Sequence, residues 1–118
     1  MTTISGVITF EQIVAFAVAL KGDSLFHPSF AELLDLRQAT FTSLTFQELA
    51  QLARTIDPFS PKALRAIVAP DDLIYGTSRI YQAVRDQGNN VQVFRTMEEA
   101  RAWLRLSDDS GVQNRQSA

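Results

Sequence analysis

The stretch Leu33-Leu34-Asp35-Leu36-Arg37-Gln38-Ala39-Thr40-Phe41-Thr42-Ser43-Leu44-Thr45 decides how the rest of this chain is read. Its apolar start, Phe30 to Leu36 with Asp35 near the end, reads as a buried strand. A short polar loop follows. Thr45-Phe46-Gln47-Glu48 then has the capping-box pattern, in which a Thr hydroxyl and the side chain three residues on satisfy each other's end amides. A strand that runs through a loop into a capped helix is half of an α/β unit, and the carboxyl end of such a strand is where α/β domains usually meet ligands.

The same grammar recurs in both directions. Toward the C-terminus, Leu49, Leu52, Ala53 and Ile56 form a core stripe at helical spacing, and Pro58 with Pro61 stops that helix. Leu64 to Ala69 is a further strand. Asp71 and Asp72 then open a helix over about 72–87, whose apolar period puts Leu73, Thr77, Ile80 and Val84 toward the core. Gly76 costs up to ~1 kcal/mol in a helix interior, which marks it as a place of close approach. Gly88-Asn89-Asn90 is a turn and Val91 to Phe94 a strand. Thr96 to Glu99 is a third capping box, before a helix with Ala100, Trp103 and Leu104 inward. From about Ser107 the composition turns to Ser, Asp, Gly, Gln and Asn, as in a frayed tail over 107–118.

Toward the N-terminus, Ile4 to Thr9 is β-prone and contains Gly6. Thr9 to Gln12 is another capping box, starting a helix that ends at Gly22. Ile13, Phe16, Ala17 and Leu20 make its stripe, but Val14 and Val18 lie beside it, so almost no polar face remains. A helix apolar most of the way round is enclosed by its own domain or covered by a partner. The lone His27, in a loop before Pro28, reads as a structural loop residue. The whole order is β-α-β-α-β-α-β-α, a single α/β domain over 1–106 with about four mostly parallel strands and about four helices.

Composition narrows the function. A net charge of −2 gives no electrostatic footprint for nucleic acid. With no cysteine and one histidine, disulfides, thiolate chemistry and His-cluster metal sites are excluded, and a reducing, cytoplasmic setting is expected. The longest apolar run, Ile13 to Leu20, is far short of the ~20 residues of a membrane span. Met1-Thr2-Thr3 carries no basic region of a secretion signal. No Ser-His-acid pattern or nucleophile elbow is present, and Asp71-Asp72 has no further ligand set, so neither an enzyme, a cofactor nor a metal is expected.

Several short motifs together resemble the SpoIIAA-like family, small bacterial proteins of the STAS-like fold shared with anti-sigma-factor antagonists. They are Gly6-Val7-Ile8-Thr9, Leu34-Asp35-Leu36-Arg37, Ala69-Pro70-Asp71-Asp72-Leu73 with Tyr75-Gly76 and Arg79, and Val93-Phe94-Arg95 with Glu99-Ala100 and Trp103-Leu104. The likeness covers Gly6 to Leu104. It implies an additional strand before the glycine, paired with it as a hairpin. Here only Met1 to Ser5 precede it, so either the sheet lacks that edge strand or the sequence starts partway through it. In the antagonists a serine in an Asp-Ser-Ser-Gly-like loop is phosphorylated. Ser43-Leu44-Thr45-Phe46 falls on that motif, with Thr45 at the modified position but without the acidic residue or the glycine.

The candidate ligand-binding set is Arg37, Asp71, Tyr75, Arg79 and Arg95, all expected at the carboxyl edge of the sheet. Two arginines and a tyrosine can hold a carboxylate or phosphate through charge-assisted bonds. The competing account is an internal network that ties strand ends to the helix. Val14, Val18, Ile74 and Tyr81 are candidate interface residues. The expected function is a non-catalytic STAS-like binding or regulatory module acting through protein contacts, as a homodimer or with another protein. The alternatives are a carrier or sensor of a small amphipathic or anionic ligand, and an antagonist switched by phosphorylation at Thr45.

Overall fold

A computed structural model describes residues 2–60, 62–85 and 90–106. Its main sheet is fully parallel, in the order β1 (Thr2–Thr3), β3 (Glu32–Asp35), β5 (Arg65–Val68), β6 (Val91–Phe94). A separate parallel pair joins β2 (Gly6–Ile8) to β4 (Ala39–Thr42). The helices are α1 (Phe10–Lys21), α2 (Phe46–Gln51), α3 (Asp72–Arg85) and α4 over 97–106. No helix among the described residues is long and apolar enough to cross a membrane.

Alternation along β5 sorts the core into two layers. Ile67 joins Ile8, Leu36, Ile74 and Val93 on the face covered by α1, α2 and α3. Ala66 and Val68 turn the other way, against Ala100, Trp103 and Leu104 of α4, where the Phe94 and Trp103 rings lie 5.8 Å apart. All four residues of β5 are buried, so it is the central strand. The inward stripes expected for α4 and for the Leu49–Ile56 segment hold: Ala100, Leu49, Leu52 and Ala53 are all buried.

Thr9 and Thr45 make complete capping boxes, with Gln12 and Glu48 as their partners. Thr96 Oγ1 accepts from the Glu99 amide at 3.2 Å, while the Glu99 carboxylate binds the Thr96 hydroxyl. Gly6 alone among the described glycines has a positive φ, +74°, where the β2–β4 register slips by a residue. A side chain is strained at that angle, so a glycine belongs there.

Five expectations need correction. An N-terminal edge strand is present as Thr2–Thr3, and it pairs with β3 rather than as a hairpin with β2. The loop after Leu36 contains β4, because Ala39–Thr42 finds β2 as a partner 33 to 34 residues away that local propensity cannot reveal. The helix from Thr45 changes character at Leu52, continuing to Ile56 as a π-helical turn whose Asp57 amide donates to the Leu52 carbonyl at 2.9 Å. The phase of α3 is displaced by one residue. Ile74 and Ser78 are buried, whereas Leu73 is 53% and Ile80 41% exposed. Gly76 likewise has open space where a Cβ would stand, so no close packing among the described residues explains it. The helix end near 87, the turn at 88–89 and the tail from 107 lie outside the described residues.

Candidate functional site

Two groups of charged residues occupy opposite ends of the sheet. At the carboxyl end the expected set is only partly assembled. Asp35 takes the Arg37 guanidinium in two bonds of 2.9 Å, plus the Arg37 amide at 3.0 Å. The Arg37 side chain beside it holds the Asp35 carboxyl below the usual carboxylate range. Arg95 lies over the Tyr75 ring at 3.9 Å and bonds the Pro70 carbonyl and Asp72. Asp71 caps α3 by accepting the Ile74 amide at 3.1 Å. Arg79 is exposed and makes no ion pair among the described residues. Arg37, Arg95 and Asp71 are therefore bound to strand ends and a helix start, as the internal-network account requires.

The amino end holds the residues that sequence reasoning missed. Glu32 and Arg65 are the first residues of β3 and β5 and face each other in register. The π-helical turn delivers Asp57 beside them, where Asp57 Oδ1 closes a turn onto the Phe59 amide at 2.9 Å. Arg65 Nη2 donates to Glu32 Oε1 at 2.9 Å, and Nη1 donates to Asp57 and to the Tyr81 hydroxyl at 2.7 Å. The Tyr81 hydroxyl donates onward to Asp57. Arg85 approaches Asp57 at 3.4 Å and donates to the Ala53 and Phe59 carbonyls. The Phe59 ring covers the Arg65 guanidinium at 4.3 Å.

Burial opposes the charge on Arg65, but Tyr81, Glu32 and Asp57 together outweigh it and raise its pKa. Burial also pushes the Tyr81 phenol well above its ordinary value, so it stays a protonated donor. Two arginines and two carboxylates leave this cluster with no net formal charge. The signal available in the sequence was Arg65 itself. A cation inside an apolar strand must find a partner.

This cluster forms one end of a half-enclosed cleft of about 110 Å³. Ile13, Phe16 and Ala17 of α1, Leu49 and Leu52, and Ile67 from the sheet make its apolar walls. The linked Glu32, Asp57, Arg65 and Tyr81 make its polar end, and Thr42, Thr77 and Ser78 line it as well. The nearly all-apolar α1 thus has its stripe over the cleft and its back in solvent, with Val18 64% exposed and Val14 half-buried.

The remaining candidates fall as follows. Ile74 is 1% exposed in the core, and Tyr81 is held in the buried ion network, so neither lies on a surface open to a partner. Both follow from the shifted phase of α3. The Thr45 hydroxyl accepts the Glu48 amide at 3.1 Å, which accounts for its type and place. His27 Nδ1 accepts from Ser29 in an exposed loop turn. No group of acidic and histidine residues suited to a metal occurs among the described residues. Comparison of the chain with protein-family models, curated proteins and solved structures finds no match.

Proposed function

We propose that this chain is a non-catalytic binding module whose cleft beneath α1 takes a small amphipathic molecule. The observation that carries the reading is the cleft itself: apolar walls from three helices and the sheet, ending in a fixed polar cluster. Concave sites of this makeup, mostly apolar with a few placed polar groups, are the usual form of small-molecule sites. The size suits a compact ligand, since an apolar cavity of ~150 Å³ accommodates benzene. Catalysis has little support. Asp57 and Arg65 are occupied by each other and by Tyr81, and Tyr81 is held protonated. The parallel sheet and the motif likeness favour placing the module among STAS-like domains of the SpoIIAA-like kind.

The test is titration of the isotope-labelled full chain with toluene, followed by amide NMR shifts. Saturable shifts centred on Ile13, Phe16, Leu49, Leu52 and Ile67 support the reading. Absent or non-saturating shifts remove it. A second reading, contact with another copy or with a protein partner, is favoured by Leu73 and Ile80, which expose apolar side chains one above the other on α3. Light scattering that shows only monomer at high concentration removes the self-association form of it.

A further inference from the structure

We infer that the cleft selects an uncharged ligand carrying a hydroxyl, which donates to Glu32 Oε2 and meets Ser78 at the polar end. This rests on the cleft being a ligand site, as proposed above. Glu32 is 7% exposed, yet its bonds are one-sided: Oε1 accepts both the Nε and the Nη2 of Arg65, at 3.3 and 2.9 Å. Oε2 has no donor among the described residues, and Glu32 lines the cleft. Asp57 offers no such vacancy, because Oδ1 holds the Phe59 amide and Oδ2 holds Arg65, Tyr81 and Arg85. Ser78 lies one turn before Tyr81 on α3, is buried, lines the cleft, and its hydroxyl has no hydrogen bond among the described residues.

No buried side-chain nitrogen or oxygen among the described residues lacks a partner, so Glu32 Oε2 is open to solvent through the cleft, and a ligand hydroxyl can donate to it there. The charge of that donor follows from the cluster. Arg65 already neutralises Glu32, so an ammonium would be desolvated beside a guanidinium, and a carboxylate would face Glu32 and Asp57. A hydroxyl carries neither penalty. It can donate to Glu32 Oε2 and accept from Ser78, while its apolar body lies along Phe16, Leu49 and Ile67. The ligand class is a small alcohol or phenol.

The experiment compares four ring compounds of similar size on the full chain by the same NMR titration: phenol, toluene, benzoate and benzylammonium. Phenol binds about tenfold more tightly than toluene, as a hydrogen bond to a charged acceptor allows. The two ions bind at least about tenfold more weakly than phenol. Glu32→Gln replaces the acceptor with an amide and collapses the advantage of phenol over toluene. Ser78→Ala, which leaves Arg65 its partners, reduces that advantage about threefold. If Glu32→Gln does not fold, Ser78→Ala still gives the reading. Toluene binding as tightly as phenol overturns the hydroxyl inference while leaving the cleft a ligand site. An advantage unchanged in both variants, or benzoate binding as tightly as phenol, also overturns it. Absence of saturable binding by both toluene and phenol overturns the cleft reading itself.

Discussion

The two ends of the main sheet hold the same kinds of residue in opposite circumstances. At the carboxyl end, Arg37 and Arg95 pair with Asp35 and Asp72 while their own side chains remain 49% and 44% exposed. At the amino end, Arg65 pairs with Glu32 and Asp57, and all three side chains are below a tenth exposed. Water reaches both arginines of the first set, although the Asp35 side chain is 3% exposed, and is absent from most of the second. An exposed pair is worth ~0–1 kcal/mol, whereas removing one partner of a buried pair costs several times more. The end that looked like a site from strand topology is a set of ties. The end that carries the cleft is the one where charges had to be built into the interior.

The largest way to break this contrast is Arg65→Ala. It leaves Glu32 and Asp57 buried without their guanidinium and is expected to cost ~3–5 kcal/mol, read from the urea midpoint. That is a large share of the ~5–15 kcal/mol that holds a domain together. A cost no greater than that of Arg95→Ala would erase the distinction between the two ends.

Tyr81→Phe tests the same cluster more gently. Removing the hydroxyl leaves Arg65 and Asp57 bonded to each other but takes one bond from each. The expected cost is ~1–3 kcal/mol at unchanged urea dependence, and a neutral result would mean the hydroxyl is not part of the network.

Arg37→Ala takes the guanidinium from Asp35, whose side chain is 3% exposed, and the sign of its effect with pH sharpens the comparison. Asp35 has its folded pKa lowered by Arg37, so the stabilisation is complete above the ordinary carboxylate value of 3.8. It is lost as pH falls below that value through the folded pKa. Thermal melts of the native chain and of Arg37→Ala should therefore differ above pH 4 and converge in stronger acid. Curves that diverge on acidification would mean that Asp35 is not held by Arg37.

The history of α3 explains why the site was harder to read than the fold. Its period is plain in the sequence, and apolar content assigns the inward face to Leu73, Thr77, Ile80 and Val84. The folded chain instead turns Ile74, Ser78, Tyr81 and Arg85 inward or toward the polar cluster, because Asp57 and Arg65 accept and donate what Tyr81 and Arg85 offer. A pattern of apolarity cannot register that polar residues are the inward ones when their partners lie 16 to 28 residues away in the chain. The same blindness hid Glu32, 33 residues from Arg65, and the strand β4, whose partner precedes it by a whole helix.

What the sequence determined by itself is what acts within a turn or a strand. It placed three helix starts at Thr9, Thr45 and Thr96, the stop after Ile56, a strand over Leu64 to Ala69 and the α/β order. Those follow from caps, prolines and periodicity, which are contacts between near neighbours. Only the tertiary structure decided the rotation of α3, the pairing of β1 with β3, the buried ion network and the cleft beneath α1. Each of these is a balance between burial and pairing among residues far apart in the chain, and that balance exists only once the layers have packed.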